Sequence, residues 1–208
     1  MANKLCLVSP VPESVNHYFR YRAFIKDGKA KAMGYKTNAA AEYQDTFCEY
    51  VRGEAVRQGW AMSTNEYQHY YVDAIFYFPR TDKDPNNYWK LLLDAITQSG
   101  VVWKDDNVTC ERVKKICYDS ENPRIEIEIY PVEYIGVFDN AEELNSFELC
   151  CAGCKRYSRN CSILRRAKEG RVQAEVNDGR CAAFTKKAEK KPKTKRKRRK
   201  GEFHEQQN

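Results

Sequence analysis

The chain has 208 residues, of which 42% are hydrophobic, and it carries a formal net charge of +7. This length allows one domain of ordinary size with an appendage, and the hydrophobic content is sufficient for a packed core. No apolar run approaches the roughly 20 residues that span a bilayer, and the apolar residues near the N-terminus are too few for a signal peptide. We therefore expect a cytoplasmic protein without a membrane span.

Three elements are predicted in the N-terminal half from the spacing of apolar residues. Residues 5–9 alternate weakly and predict a strand, which two following prolines end because proline cannot donate to a strand ladder. Residues 38–58 are rich in helix formers and repeat apolar side chains at helical spacing, so we predict a helix there. Residues 67–78 predict a second strand, in which alternate apolar residues share one side.

A polar stretch, RTDKDPNNYWKLLLDA, opens the next predicted helix at residues 85–99. Pro85 suits the first helical position and Asp84 suits the N-cap, where a carboxylate accepts backbone N–H groups. Apolar residues spaced i, i+3, i+4 and i+7 predict the face that meets the sheet. These residues are Trp89, Leu92, Leu93 and Ile96.

More polar groups gather at this helix start than a cap requires. Asn86 and Lys90 share a polar face of the helix, and the later segment WKDDNV (103–108) adds the acid pair Asp105 and Asp106. If that segment returns beside the helix start, carboxylates from two places converge, and such carboxylates repel each other unless a cation such as Mg²⁺ joins them. Because acid pairs also occur in ordinary turns, a capped helix and a metal site both remain open.

Two further strands are predicted at residues 113–118 and 124–130. The second strand, RIEIEIY, alternates isoleucine with glutamate over most of its length, which indicates one buried and one wet face. The intervening segment DSENP has turn composition, so we expect the two strands to form an antiparallel hairpin. Together these elements predict an α+β fold in which helices cover one face of a small mixed sheet.

The chain contains three polar motifs, PESVNHYFR (12–20), DKDPNNYWKLLLDA (82–95) and WKDDNV (103–108). As a set and in this order, they resemble the motifs of the RusA-type Holliday-junction resolvases. The resemblance covers about residues 5–131. It implies a metal-dependent endonuclease that acts as a homodimer on branched, four-way DNA junctions.

The resemblance also implies roles for individual residues. Asp84 and Asp106 would be ligands of Mg²⁺ or Mn²⁺, with Asp105 beside them. Lys90 would be the essential lysine of the motif, although it is also placed to pair with the acid one turn further along the helix. Asn87 would be the motif asparagine and a candidate DNA contact.

Asn86 departs from the family pattern, which has a second aspartate at this position. An amide oxygen can still ligate Mg²⁺, but it brings no negative charge. One unit charge at roughly 4 Å is worth on the order of 4 kcal/mol at an effective dielectric near 20, before desolvation, and a divalent ion doubles this value. Either metal binding and cleavage are weakened, or another acid such as Asp82 compensates.

Candidate DNA contacts lie in three places. Lys83 falls where the family often has a basic residue that helps to hold DNA. Asn16 and Arg20 either meet a phosphate or order the N-terminal loop.

The third place is the basic C-terminal tail. Eleven Lys and Arg residues between 186 and 200 give the segment 186–208 a charge of +8, while residues 1–185 are nearly neutral. Such a tail is either simply solvated or, as we expect, attracted to nucleic acid. The candidate contacts in the tail are Lys195, Arg196, Lys197, Arg198 and Arg199.

Five of the nine cysteines are clustered near the C-terminus. Four of them, Cys151, Cys154, Cys161 and Cys181, offer the four thiolates that a closed tetrahedral zinc site needs. Their spacing matches no standard zinc finger, so one structural Zn²⁺ and a set of buried cysteines in a helical pair are both open. Residues 163–176 between the third and fourth cysteines predict a helix.

The sequence therefore predicts four segments and two alternative functions. Residues 1–135 form the RusA-like domain, 136–147 a linker, 148–184 the zinc module and 185–208 a disordered basic tail. The first function is a Mg²⁺-dependent junction endonuclease. The alternative is a non-catalytic DNA-binding protein that uses the zinc module and the tail, and Asn86 is the residue that separates the two.

Overall fold

The computed structural model describes residues 4–157 and 159–187. The strands are β1 (Leu5–Pro10), β2 (Phe19–Lys26), β3 (Lys29–Lys36), β4 (Tyr70–Phe78), β5 (Thr109–Tyr118), β6 (Arg124–Pro131), β7 (Val176–Asn177) and β8 (Arg180–Cys181). The α-helices are α1 (Val15–Tyr18), α2 (Asn38–Arg57), α3 (Trp89–Ser99), α4 (Ala141–Ala152) and α5 (Ile163–Lys168). No helix in this described part of the chain is long and apolar enough to cross a membrane.

A four-stranded mixed sheet in the order β1-β6-β4-β5 forms the centre of the N-terminal domain. β4 and β5 are parallel and α3 connects them, whereas β6 runs antiparallel to both β1 and β4. The predicted α+β class is confirmed. The predicted antiparallel hairpin of residues 113–118 with 124–130 is wrong, because β4 lies between these two strands. The turn at residues 119–123 carries the chain past the end of β4, and turn composition does not specify which strands it joins.

The core lies between one face of this sheet and the helices α2 and α3. The alternating apolar residues of β4 and the isoleucines of β6 are buried, as their spacing predicts. Leu92, Leu93 and Ile96 of α3 are buried in the same core, and Trp89 packs against it. The predicted core-facing side of α3 is therefore confirmed.

The hairpin of β2 and β3 was not predicted. Its strands pair from Phe19 with Lys36 to Lys26 with Lys29, and all residues from 19 to 35 are exposed. Asp27 and Gly28 form its turn with positive φ angles of 54° and 70°. A two-residue turn of this kind matches the twist of the strands on either side.

A second, smaller core lies beyond the sheet domain and contains α4, α5 and the β7–β8 pair. α4 begins at Ala141 and Phe138 is buried, so residues of the predicted linker 136–147 belong to this folded unit. The helix predicted over 163–176 ends already at Lys168. Gly170, with a φ of 78°, lies just after this end, where glycine adopts the left-handed conformation without strain.

Candidate active site

The first polar turn follows β4 and leads into α3. Asp84 caps a short 3-10 helix (Pro85–Asn87), and its Oδ1 accepts the backbone N–H of Asn86 at 3.0 Å. The N-cap prediction for Asp84 is confirmed, but the helix predicted to start at Pro85 is a 3-10 turn, and the α-helix begins at Trp89. One carboxylate oxygen of Asp84 thus forms the cap. The side chain of Asn86 is exposed and takes no part in this hydrogen bond.

The second polar turn precedes β5 and has the same construction. Asp105 caps a 3-10 helix (Asp106–Val108), and its Oδ1 accepts the backbone N–H of Asn107 at 3.0 Å. The hydroxyl of Thr109 donates to the backbone carbonyl of Asp106 at 2.7 Å and fixes the start of β5. Because Asp105 makes the cap, the side chain of Asp106 is not needed to close the turn.

A group of charged side chains lies on and beside α3, at the base of the β2–β3 hairpin. Lys90 Nζ donates to Asp94 Oδ1 at 3.1 Å, and Lys36 Nζ donates to the other oxygen of Asp94 at 3.1 Å. The hydrogen bond to Asp94 raises the pKa of Lys90, and the negative charge of Asp106 contributes to the same shift. Asp106 therefore lies within electrostatic reach of Lys90.

Lys36 and Tyr18 are members of this group that the sequence did not indicate. Burial raises the pKa of Tyr18, and the charge of Asp94 adds to the increase. The Thr37 backbone N–H donates to the carbonyl of Tyr18 at 2.9 Å, which holds the two ends of the hairpin together. No periodic pattern links residues 18, 36 and 94, so only the fold brings them to one place.

The two turns carry oxygen donors of the kind that a hard cation prefers. Asp84 and Asp105 each use one oxygen for a cap and keep a second, and carboxylate and amide oxygens are the donors that Mg²⁺ prefers. Within residues 4–157 and 159–187, however, no group of three or more His, Cys, Asp or Glu side chains is arranged to hold a metal ion. The chemical type of the donors fits a divalent cation, while their convergence on one ion remains a prediction.

A comparison with protein families decides what this domain is. The family described as Endodeoxyribonuclease RusA matches residues 10–130, which is more than half of the chain. The chain belongs to the RusA family. The match ends at β6, so the smaller core lies outside the RusA domain. The comparison with curated proteins found no match.

The other predicted DNA contacts in the RusA domain lie on its surface. Asn16 is exposed on α1 and Arg20 is exposed on β2, while Lys83 and Asn87 are half-buried around the Asp84 turn. Asp82, considered as a compensating acid, pairs with Arg80 at 3.1 Å, with both side chains exposed. The tail contacts Lys195, Arg196, Lys197, Arg198 and Arg199 lie outside the described residues.

A buried acid on the opposite face of the RusA sheet was also missed. Asp73 on β4 is 2% exposed and binds Arg112 at 2.5 Å and Lys114 at 3.3 Å, while the hydroxyl of Tyr130 donates to it at 2.8 Å. Burial raises the pKa of Asp73, but these three partners outweigh burial and hold the pKa below its usual value. Because its partners are on strands β5 and β6, Asp73 stabilises the sheet by joining three strands.

The cysteines of the smaller core occupy one neighbourhood and are all free thiols. Cys151, Cys161 and Cys181 belong to the same apolar cluster. Burial raises the pKa of Cys151 to about 11, and the neighbouring cysteines Cys181, Cys161 and Cys154 add to the increase.

Cys154 has a different environment from Cys151. Its sulfur accepts the backbone N–H of Thr185 at 3.4 Å. This hydrogen bond, with others from the backbone of Arg156 and Tyr157, lowers the pKa of Cys154. Backbone N–H groups directed at a sulfur favour its thiolate form, which is the form that binds metals.

Proposed function

We propose that this RusA-family chain is a Mg²⁺-dependent endonuclease that resolves four-way DNA junctions in recombination and repair. The observation that carries the proposal is the pair of Asp-capped turns at the two ends of the β4–α3–β5 connection, inside the domain that matches the endodeoxyribonuclease family. An ordinary helix start needs only one capping acid. Here the second turn adds Asp106, whose charge contributes to the raised pKa of Lys90 and which is not required for the cap.

Each residue of the site has a proposed role. Asp84, Asp105, Asp106 and the Asn86 amide would hold Mg²⁺ or Mn²⁺, which would polarise a phosphodiester and activate a water for in-line attack. Lys90 is 64% exposed in its side chain and can turn from Asp94 to the phosphate, where it would stabilise the developing charge. Lys36 keeps Asp94 paired when Lys90 leaves it.

We also propose that the chain acts as a homodimer. The RusA resemblance supports this proposal, and a four-way junction has an approximate two-fold symmetry of its own. Two sites related by a two-fold axis would cut opposed strands symmetrically. A monomer would instead release singly nicked junctions.

A cleavage assay on DNA of different shapes tests the proposed activity. The full chain is incubated with Mg²⁺ and a labelled four-way junction, a flap or a linear duplex of the same sequence. We expect paired cuts in the junction and little cleavage of the duplex. Equal cleavage of all three substrates would overturn the proposed selectivity. Binding of the junction without cleavage, in Mg²⁺ and in Mn²⁺, would overturn the enzyme and favour the DNA-binding alternative that Asn86 suggests.

We further propose that Cys151, Cys154, Cys161 and Cys181 hold one structural Zn²⁺. The grouping of these thiols around Cys151 and the backbone N–H groups at Cys154 support the proposal. Four thiolates would leave no open coordination position, so the ion would stabilise the smaller core and take no part in cleavage. In the structure the four sulfurs are not yet arranged as a metal site, so binding would move them towards the ion.

Zinc content tests this second proposal. Protein purified without chelator should contain about one zinc per chain, because structural sites hold the metal tightly. Cys154→Ser should lose the zinc and unfold at a lower temperature, whereas Cys6→Ser, at an exposed position on β1, should retain it. Zinc-free wild-type protein, or equal zinc in wild type and Cys154→Ser, would contradict the proposed ligand set.

A further inference from the structure

The β2–β3 hairpin is a two-stranded ribbon whose two faces differ in chemistry. Opposite residues of an antiparallel pair point to the same side, so the register sorts the side chains into two sets. One face carries five cations: Arg20, Arg22, Lys26, Lys29 and Lys31. The other face is apolar up to Lys36 and contains Phe19, Tyr21, Ala23, Ile25, Ala30 and Ala32.

The cationic face also presents aromatic groups between its charges. Tyr35 lies opposite Arg20, and Phe24 lies opposite Lys31, and both rings are exposed. The one acid of the hairpin, Asp27, is in the turn. Five like charges on one side of a short ribbon repel each other, which costs stability unless an anion lies against them. The composition is therefore that of a surface for a polyanion.

We propose that the cationic face of the β2–β3 ribbon lies along the phosphate backbone of a DNA arm and extends the binding surface of the site. The proposal rests on the proposed function for its substrate, and it adds the surface that guides the substrate to the site. The eight paired positions span about 26 Å at 3.3 Å per residue. This length covers several phosphates of one strand, and a two-stranded ribbon also fits the width of the major groove.

The base of the ribbon is attached to the candidate site. Lys36, the last residue of β3, binds Asp94, which also binds Lys90. Tyr18 immediately precedes β2 and is close enough to Asp94 and Lys90 for their charges to affect its pKa. A DNA strand that reaches Lys90 therefore passes the start of the ribbon, and one arm of a junction would continue along it.

The ribbon has little support from the rest of the chain. Residues 19–35 are exposed on both faces, and a two-stranded hairpin by itself is only marginally stable in water. Binding along the cationic face would order it, so part of the binding energy would be used to fix the ribbon. A second copy of the chain on the apolar face is the competing occupant. Charge complementarity favours DNA because the cations are placed on one face rather than scattered over both.

Two matched variants test the proposal in the full chain. The first, Arg22→Gln/Lys29→Gln/Lys31→Gln, removes three charges from the cationic face, and the second, Tyr21→Ser/Ile25→Thr, alters the apolar face. Binding of a labelled four-way junction is measured in EDTA at several salt concentrations, so that cleavage does not interfere. The first variant should reduce the slope of log affinity against log salt by about 2.7, and lower affinity roughly ten-fold or more near 0.1 M salt. The second should leave the slope unchanged.

Several outcomes would overturn the ribbon proposal. An unchanged slope for the triple variant shows that these cations do not meet phosphates. If instead the apolar-face variant turns a dimer into a monomer in sedimentation and the triple variant binds normally, the ribbon is a contact between copies of the chain. The proposed nuclease function is tested separately by cleavage in Mg²⁺. If the wild-type protein does not cleave, that function fails, whereas the salt dependence of binding in EDTA still tests the ribbon.

Discussion

Replacing Asn86 with aspartate should raise Mg²⁺-dependent cleavage of a four-way junction by roughly ten- to a hundred-fold, or about 1.4–2.8 kcal/mol of barrier. The reason is the charge that the amide lacks. A carboxylate roughly 4 Å from a divalent ion gains about 8 kcal/mol of Coulomb energy at an effective dielectric near 20, most of which desolvation offsets. The remainder appears as tighter metal binding and faster cleavage. The measurement is the single-turnover rate as a function of Mg²⁺ concentration.

The structure indicates that this substitution changes charge and little else. Asn86 is exposed, and its cap contact with Asp84 is made by the backbone N–H, which aspartate retains. Asn122→Asp is a matched control because it adds the same charge at an exposed position in the turn between β5 and β6, outside both acid-bearing turns. It should give no gain in rate. Equal gains from both variants would show a nonspecific effect of charge, and a rate for Asn86→Asp no higher than wild type would contradict the proposed role of this position.

Asp106→Asn should lower junction cleavage by at least about a hundred-fold, which corresponds to about 2.8 kcal/mol of barrier, while junction binding in EDTA is retained. The variant removes a proposed metal ligand whose charge affects the pKa of Lys90, and it does not open the turn because Asp105 supplies the cap. Removal of a negative charge from a DNA-binding site also does not weaken its attraction to phosphate. Cleavage rate and binding affinity are therefore expected to separate.

Asp45→Asn is the control for this loss. Asp45 is an exposed acid on α2 that accepts a hydrogen bond from Gln98, so its replacement removes the same charge outside both turns. The control should cleave at the wild-type rate. Wild-type cleavage by Asp106→Asn would exclude Asp106 as a ligand. A parallel loss in Asp45→Asn would show that the effect is not specific to Asp106. A large fall in the thermal unfolding temperature of Asp106→Asn would contradict the assignment of the cap to Asp105.

Local features of the RusA domain could be predicted because each depends on residues that are close in sequence. The cap at Asp84 follows from an acid placed directly before a proline, and the buried faces of β4 and β6 follow from a period of two. The β2–β3 hairpin was missed although Asp27 and Gly28 are a strong turn signal, since the flanking strands lack the alternation that a buried face produces. Exposure on both faces removes the pattern by which strands are usually recognised.

The sequence by itself determined the family, the two acid-bearing turns and the apolar faces that form the core, because motif spacing and periodicity are local properties of the chain. Only the tertiary structure decided that β4 separates β5 from β6, and that Lys36, Asp94 and Lys90 meet at the base of an exposed basic ribbon. Strand partners and distant charge pairs depend on which surfaces pack best over the whole chain. Turn composition and helix spacing carry no information on that choice.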